Sequence, residues 1–186
     1  EGEWEIIRRV PRTDVRRLFH RPPLKALPEV LAAVRAAKGV VLCPGTLRTG
    51  VISVLLADGM RQALEENACP KVYVMNVFTQ PGNSDGFTAK RHVEELGKYL
   101  GHSPDRVIVN DGEVSHELLD HYHRAGHELV VDDLGRAPGY VYRADLVERA
   151  KDWQKHGRTG TGLLAGPHYV RHDPKKLAPL LKKAIR

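Results

Sequence analysis

The strongest constraint on the fold is a repeated alternation of short apolar runs with helical patterns. Apolar runs typical of buried strands occur at 40–43, 71–77, 106–110 and 128–131. The helical patterns between them are 51–67, interrupted at Asp58-Gly59, 89–100 behind a cap at Thr88, and 116–126 behind a cap at Ser115. Helices between short strands require right-handed crossovers. The sequence therefore predicts an α/β fold with a mostly parallel, doubly wound sheet and helices on both faces.

Weaker signals lie toward the two ends of the chain. Residues 135–166 are hard to interpret and resemble an insertion or loop. The remaining predicted elements are edge strands at 5–10 and 15–20, a strand at 168–170, and helices from Leu27, from Ala144 to Trp153, and from Asp173 onward.

Composition narrows the class of protein. The 186 residues suffice for one domain, and 41% hydrophobic with 28% charged residues is typical of globular proteins without a membrane span. Cys43 and Cys69 have no metal or disulfide spacing, so we expect a reduced, cytoplasmic setting. Because the chain begins at Glu1 rather than at a methionine, we expect a fragment of a longer protein.

The net charge of +6 favours an anionic partner. Nucleotides, phosphorylated metabolites and nucleic acid all remain open on charge alone. The arginines near the start of the chain are not interleaved with aromatic residues, which disfavours nucleic acid and favours a solvated surface.

The turn Pro44-Gly45-Thr46-Leu47-Arg48-Thr49 follows the first buried strand and leads into a helix. Helix amino termini bind phosphate through free N–H groups. Gly45 permits close backbone approach, the threonines offer hydroxyl groups, and Arg48 offers a bidentate partner. A plain strand-to-helix connection would use the same residue types.

A second polar loop, residues 78–88, follows the next strand. Asp85 in this loop is as consistent with a turn as with binding. Ligands of parallel sheets bind beyond the carboxyl ends of the strands, so we expect loops 43–50, 78–88 and 109–113 to converge. The candidate ligand-binding residues are Pro44, Gly45, Thr46, Arg48, Thr49, Asn76, Thr79, Gln80, Asp85, Thr88 and Asn110.

Other patterns carry less weight. Gly160–Ala165 has the letters of a dinucleotide fingerprint but no preceding strand, so a loop is the better interpretation. The histidines at 116, 121, 123 and 127 lack metal-site spacing. Asp132-Asp133 fits a solvated turn better than a Mg²⁺ site. No catalytic residue is assigned, because no nucleophile motif occurs.

Three motifs together resemble the CofD-like superfamily, and within it the YvcK-type gluconeogenesis factors. They are the 44–49 turn, the segment Asn76-Val77-Phe78-Thr79-Gln80-Pro81-Gly82-Asn83-Ser84-Asp85-Gly86-Phe87-Thr88-Ala89, and His172-Asp173-Pro174. In the first loop this chain departs from the family pattern, with Cys43 for Gly, Thr46 for Ser, Arg48 for Tyr and Gly50 for Ser. The family's glycine-rich first strand-turn is missing, so the chain resembles the second half of that fold.

The resemblance implies a single, amino-terminally truncated domain over 1–186 with a three-layer, Rossmann-like architecture. It also implies a cytoplasmic protein that binds a nucleotide sugar such as UDP-N-acetylglucosamine and is linked to gluconeogenic growth, cell-wall supply and cell shape. The alternative is a 2-phospho-L-lactate transferase-like enzyme that moves a phospholactyl-type group from a GDP-activated donor to a deazaflavin. Mg²⁺ would accompany only that alternative, and a homo-oligomer stays open.

Overall fold

A computed structural model of the protein describes residues 2–9, 14–137, 139–148 and 170–186. Its centre is a four-stranded sheet in the order β1-β2-β3-β4, with every neighbouring pair parallel. The strands are β1 (Val40–Leu42), β2 (Lys71–Val74), β3 (Arg106–Asn110) and β4 (Val141–Ala144). The α/β fold class that the sequence predicts is confirmed.

Helices connect and cover the strands. They are α1 (Glu3–Arg8), α2 (Pro28–Ala36), a π-helical turn (Leu47–Ile52) continuing into α3 (Ser53–Leu55), α4 (Met60–Glu66), α5 (Ala89–Leu100), α6 (His116–Arg124) and α7 (Pro174–Ile185). The predicted interruption of the 51–67 helical pattern at Asp58-Gly59 is confirmed, since Gly59 has a left-handed φ of 88° just before α4.

Both faces of the sheet are covered, and the alternation of side chains along each strand decides which residues face which layer. Tyr73 and Val107 pack in a cluster with residues of α4, α5 and the π-helical turn. Val72, Val74 and Ile108 pack in a second cluster with residues of α7. Because helices cover both faces, β2 is buried at every position, and its residues after Lys71 are all apolar or aromatic.

The predicted fourth strand at 128–131 is wrong. Leu129 forms only an isolated antiparallel bridge with Phe78, and Val131 is 63% exposed. The backbone there serves other partners, because the Ala89 N–H at the start of α5 donates to the Val131 carbonyl over 2.9 Å. The fourth strand is instead β4, which pairs with β3 from Val107↔Val141 onward.

The predicted edge strands near the start are also wrong. Residues 3–8 form α1, and residues 14–20 have no regular secondary structure. The predicted helix from Ala144 does not form over 144–148, because Ala144 ends β4. Its remainder, the Gly160–Ala165 loop and the first two residues of the 168–170 strand lie outside the described residues.

The last helix begins as the sequence predicts. The Asp173 side chain accepts a hydrogen bond from the Lys175 N–H, and Pro174 occupies the first turn. Among the described residues, no helix has the length and apolar character needed to cross a membrane.

Candidate functional site

The loops that follow β1 and β2 meet at Gly45 and Asn76. The Asn76 Nδ2 group donates to the Gly45 carbonyl over 2.7 Å, and the Gly45 N–H donates to Asn76 Oδ1 over 3.3 Å. Because β1 and β2 are parallel neighbours, this side-chain bridge ties together the carboxyl ends of two adjacent strands. The expected convergence of these two loops therefore occurs at this pair.

A cavity of about 380 Å³ opens beside that bridge. Its described lining residues are Pro44, Gly45, Asn76, Val77, Phe78, Thr79, Gln80, Tyr122, His127, Val170, Arg171 and His172. The volume lies within the range of small-molecule sites, which is about 300–1,000 Å³. The position, beyond the carboxyl ends of parallel strands, is the usual one for ligands of open α/β sheets.

Two residues that line the cavity each carry a buried polar atom without a hydrogen-bond partner among the described residues. Within the described part of the chain, the Oε1 atom of Gln80 and the Nε2 atom of His172 are buried without a hydrogen-bond partner. Buried polar groups are nearly always paired in folded proteins, so Gln80 and His172, which line the cavity, are candidates for ligand contacts.

The protonation state of His172 follows from its surroundings. Burial lowers its pKa, against a hydrogen bond with the Met75 backbone that raises it. A bond that favours the protonated ring must use the Met75 carbonyl, and the ring nitrogen that donates to it must be Nδ1, since Nε2 has no partner. His172 is thus neutral near pH 7, and its unpaired Nε2 is an acceptor nitrogen.

Another wall of the cavity is formed by the aromatic pair Phe78 and Tyr122 together with Thr79 of the loop after β2. The rings of Phe78 and Tyr122 stack with centroids 4.0 Å apart and an interplanar angle of 17°. The Thr79 backbone and hydroxyl contact the segment after α6, because the Thr79 N–H donates to the Glu128 carbonyl over 2.7 Å and Thr79 Oγ1 accepts from the Glu128 N–H over 2.9 Å. These contacts place α6 and the segment that follows it against the loop after β2.

The structure divides the predicted site residues into two groups. Those that line the cavity are Pro44, Gly45, Asn76, Thr79 and Gln80. Thr46 immediately precedes the π-helical turn, and its carbonyl accepts from the Gly50 N–H over 2.9 Å. Arg48 and Thr49 line a different cavity of about 510 Å³, shared with residues of the segments 2–9 and 15–21.

Arg48 lies in the protein interior. Its side chain is 2% exposed and forms ion pairs with Glu95, which is 1% exposed, and with Asp14 on the surface. Thr49 Oγ1 donates to Glu3 over 2.7 Å. These side chains therefore hold protein groups in this structure.

The other predicted residues have structural partners. Asp85 is exposed, and its Oδ2 accepts from the Gly82 N–H over 2.7 Å. Thr88 caps α5 by accepting from the Arg91 N–H over 3.3 Å, as the sequence predicts. Asn110 Oδ1 accepts from the Leu146 N–H over 2.8 Å and so ties the end of β3 to the chain after β4.

The described residues that line the cavity do not offer a magnesium site of their own. Among the described residues that line it there is no carboxylate, whereas Mg²⁺ requires hard oxygen ligands. The Asp132 carboxylate is paired with Arg143 over 2.6 Å, and Asp133 Oδ1 accepts from the Lys90 N–H over 2.7 Å. Within the described residues, no group of three His, Cys, Asp or Glu side chains is close enough to hold a metal ion.

Several cavity residues escaped the sequence analysis. Tyr122 lies in α6 and His127 lies three residues after its end. Val170, Arg171 and His172 precede α7. Tyr122 joins these two parts, because the Val170 N–H donates to its hydroxyl over 2.6 Å. The sequence signals near these residues were the histidine cluster that includes His127, the predicted strand at 168–170 and the resemblance carried by His172-Asp173-Pro174.

The fold and the site together define an α/β protein with a cavity of mixed polar and apolar lining at the carboxyl edge of a parallel sheet. A family model described as "2-phospho-L-lactate transferase CofD" matches residues 1–147. The chain belongs to the CofD family, and it is of the YvcK type within the CofD-like superfamily.

Two curated relatives of this chain are both named as gluconeogenesis factors. A protein of Thermotoga maritima named "Putative gluconeogenesis factor" is 32% identical over 185 residues, covering 100% of this chain and 55% of that protein. A protein of Bacillus subtilis named "Gluconeogenesis factor" is 27% identical over 177 residues, covering 92% of this chain and 51% of that protein.

A solved structure is also similar. The crystal structure of a UPF0052 family protein of Bacillus halodurans superposes with a TM-score of 0.70 and 26% sequence identity, covering 85% of this chain and 47% of that chain. The chain thus spans about half the length of these relatives.

Proposed function

We propose that this chain is part of a regulatory protein that binds a nucleotide sugar of the UDP-N-acetylglucosamine type and supports gluconeogenic growth, cell-wall supply and cell shape. The names of the relatives support the link to gluconeogenesis. The cavity between the loops after β1 and β2 supports the ligand class.

The main support is that two residues lining the cavity, Gln80 and His172, each carry a buried polar atom, Oε1 and Nε2, without a partner among the described residues. A neutral acceptor nitrogen requires a donor on the ligand, and the hydroxyl and acetamido N–H groups of an amino sugar are donors. Leaving such atoms unpaired is costly, so a ligand that pairs them gains affinity and selectivity.

The charged part of the ligand has partners nearby. Arg171 is exposed and lines the cavity, so its guanidinium is available to a diphosphate group. Gly45 lies at the turn before the π-helical turn, and no heavy atom lies within 4 Å of where its Cβ would be. That open space permits a phosphate to approach the backbone closely.

The test is calorimetric titration of UDP-N-acetylglucosamine into the full-length protein. We expect a saturable heat with one site per chain. We expect Gln80→Leu to weaken binding about tenfold, because it removes the amide of a residue that lines the cavity. The matched control is Gln62→Leu on the exposed face of α4, which should bind as the wild type does. No heat at millimolar ligand would refute the proposal.

The family description supports a second candidate, a transferase that moves a phospholactyl-type group from a GDP-activated donor to a deazaflavin. Positioning of the two substrates would supply much of the rate in such a transfer. Incubation of the full-length protein with donor, deazaflavin and Mg²⁺ distinguishes the two candidates. Formation of a phospholactyl deazaflavin supports the transferase, and its absence alongside UDP-N-acetylglucosamine binding supports the regulator.

A further inference from the structure

A buried hydrogen-bonded contact joins the two site loops through residues that do not line the cavity. The side chain of Asn83 is fully buried, its Oδ1 accepts from the Arg48 N–H over 2.8 Å, and its Nδ2 donates to Thr49 Oγ1 over 3.0 Å. In return the Arg48 Nη1 group donates to the Asn83 carbonyl over 2.9 Å. We call this set of contacts the Arg48–Asn83 clasp.

The clasp is anchored to the body of the fold. Arg48 Nε lies 3.2 Å from Glu95 Oε1, and Glu95 belongs to α5, the long helix of the same layer. A guanidinium that is paired with a carboxylate and a backbone carbonyl inside the protein has a fixed orientation, because its donors form a rigid planar fork. The two loops are therefore held against α5 as well as against each other.

Each half of the clasp is three residues from a cavity residue. Asn83 lies in the turn that starts at Gln80, where the Asn83 and Ser84 N–H groups both donate to the Gln80 carbonyl over 2.9 Å. Arg48 lies in the π-helical turn. That turn begins two residues after Gly45, and the Thr46 carbonyl between them accepts from the Gly50 N–H. A displacement of Asn83 relative to Arg48 would thus change the separation of Gln80 and Gly45.

We infer that Arg48 and Asn83 are positioning residues that fix the separation of Gly45 and Gln80 and thereby set the affinity of the cavity. This inference rests on the function proposed above, and it assigns a role to two residues that do not line the cavity. A site built on two loops gains affinity when their relative position is fixed before the ligand arrives. Outside the clasp, the direct link between these loops that borders the cavity is the Gly45–Asn76 bridge.

A purely structural role predicts a different result from a positioning role. If Asn83 only stabilised the fold, any variant with the same loss of stability would lower ligand binding equally. Leu177→Ala is a suitable comparison, because Leu177 packs in the α7 cluster on the opposite face of the sheet. Both variants are measured at a temperature where each remains folded.

The experiment combines two measurements on full-length Asn83→Ala. In calorimetry with UDP-N-acetylglucosamine, we expect Kd to rise about tenfold, while Leu177→Ala keeps the wild-type Kd. In hydrogen exchange without ligand, we expect faster exchange over 44–50 and 78–84 and an unchanged rate over α2 at 28–36. Asn83→Asp keeps the acceptor for the Arg48 N–H, so it should recover part of the affinity.

The two measurements separate the inference from the proposed function. Wild-type affinity in Asn83→Ala, or equal weakening by Leu177→Ala, would overturn the positioning role. Unchanged exchange over 44–50 would overturn the clasp itself. Absence of binding in the wild type would refute the proposed function, and the exchange measurement would still decide whether the clasp holds the two loops together.

Discussion

Removal of the Glu95 carboxylate should destabilise the protein strongly, because it leaves the Arg48 guanidinium in the interior without its buried partner. The two side chains are 1% and 2% exposed. Removing one member of a buried ion pair typically costs about 3–5 kcal/mol. Asp14 also contacts Arg48 but is 58% exposed, so water and salt screen that pair and it offsets little of the loss.

For Glu95→Leu we therefore expect the free energy of unfolding to fall by about 3 kcal/mol, at the lower end of that range because the Asn83 carbonyl still accepts from Arg48. This loss corresponds to a fall in Tm of about 6–12 °C for a chain of this size. The double variant Arg48→Met/Glu95→Leu should recover at least half of the loss, since apolar side chains of similar volume can replace a buried pair.

The assay is urea denaturation of the full-length protein followed by circular dichroism. Glu65→Gln is the control, because Glu65 forms an i,i+4 pair with Arg61 in which both side chains are about half exposed. Its cost should be below about 0.5 kcal/mol. A loss under about 1 kcal/mol in Glu95→Leu, or a double variant less stable than the single one, would refute the argument from buried charge.

Three further predictions follow from the site and its loops. Asn76→Ala removes both hydrogen bonds to Gly45, so calorimetry should show Kd for UDP-N-acetylglucosamine raised about tenfold, and an unchanged Kd would separate that bridge from binding. Gly82→Ala should lower the unfolding free energy by at least about 2 kcal/mol more than Gly86→Ala does. Both glycines have positive φ, but only at Gly82 would a Cβ collide with a backbone atom, the carbonyl oxygen of Ile7. Equal losses of stability in urea denaturation would contradict this close contact. Burial lowers the pKa of His172 below 6.5, so the unfolded state binds more protons, and the stabilisation by the neutral ring, present above about pH 6.5, is lost as pH falls through the folded pKa. His172→Phe should reduce the slope of unfolding free energy against pH between about pH 8 and 5 without abolishing it, since burial also lowers the pKa of His92, and an unchanged slope would contradict a neutral buried His172.

Local patterns predicted the central elements well. The bounds of β3 and α5 agree with the sequence prediction, because a continuous apolar run and a capped amphipathic pattern each carry their own signal. The run at 128–131 failed for the converse reason. It has strand composition, but its backbone groups pair with the start of α5 and with the loop after β2 rather than with a sheet neighbour.

The candidate site was predicted in part. Loops 43–50, 78–88 and 109–113 were expected to converge. The first two supply cavity residues, and Gly45 meets Asn76, whereas none of the described lining residues comes from 109–113. The direction of each side chain was beyond the reach of the sequence, as Arg48 illustrates. An arginine beside a glycine turn is typical of a phosphate contact, yet here Glu95, 47 residues further along the chain, holds it in the interior.

The sequence by itself determined the strand–helix alternation, the caps at Thr88 and Asp173 and the two polar loops, because these depend on residues close together in the chain; the predicted cap Ser115 makes no side-chain hydrogen bond at the start of α6. Only the tertiary structure decided which strand follows β3 in the sheet, that Arg171 and His172 join the cavity, and that Arg48 is buried. Those outcomes depend on contacts between residues far apart in sequence, and no local pattern of residues records them.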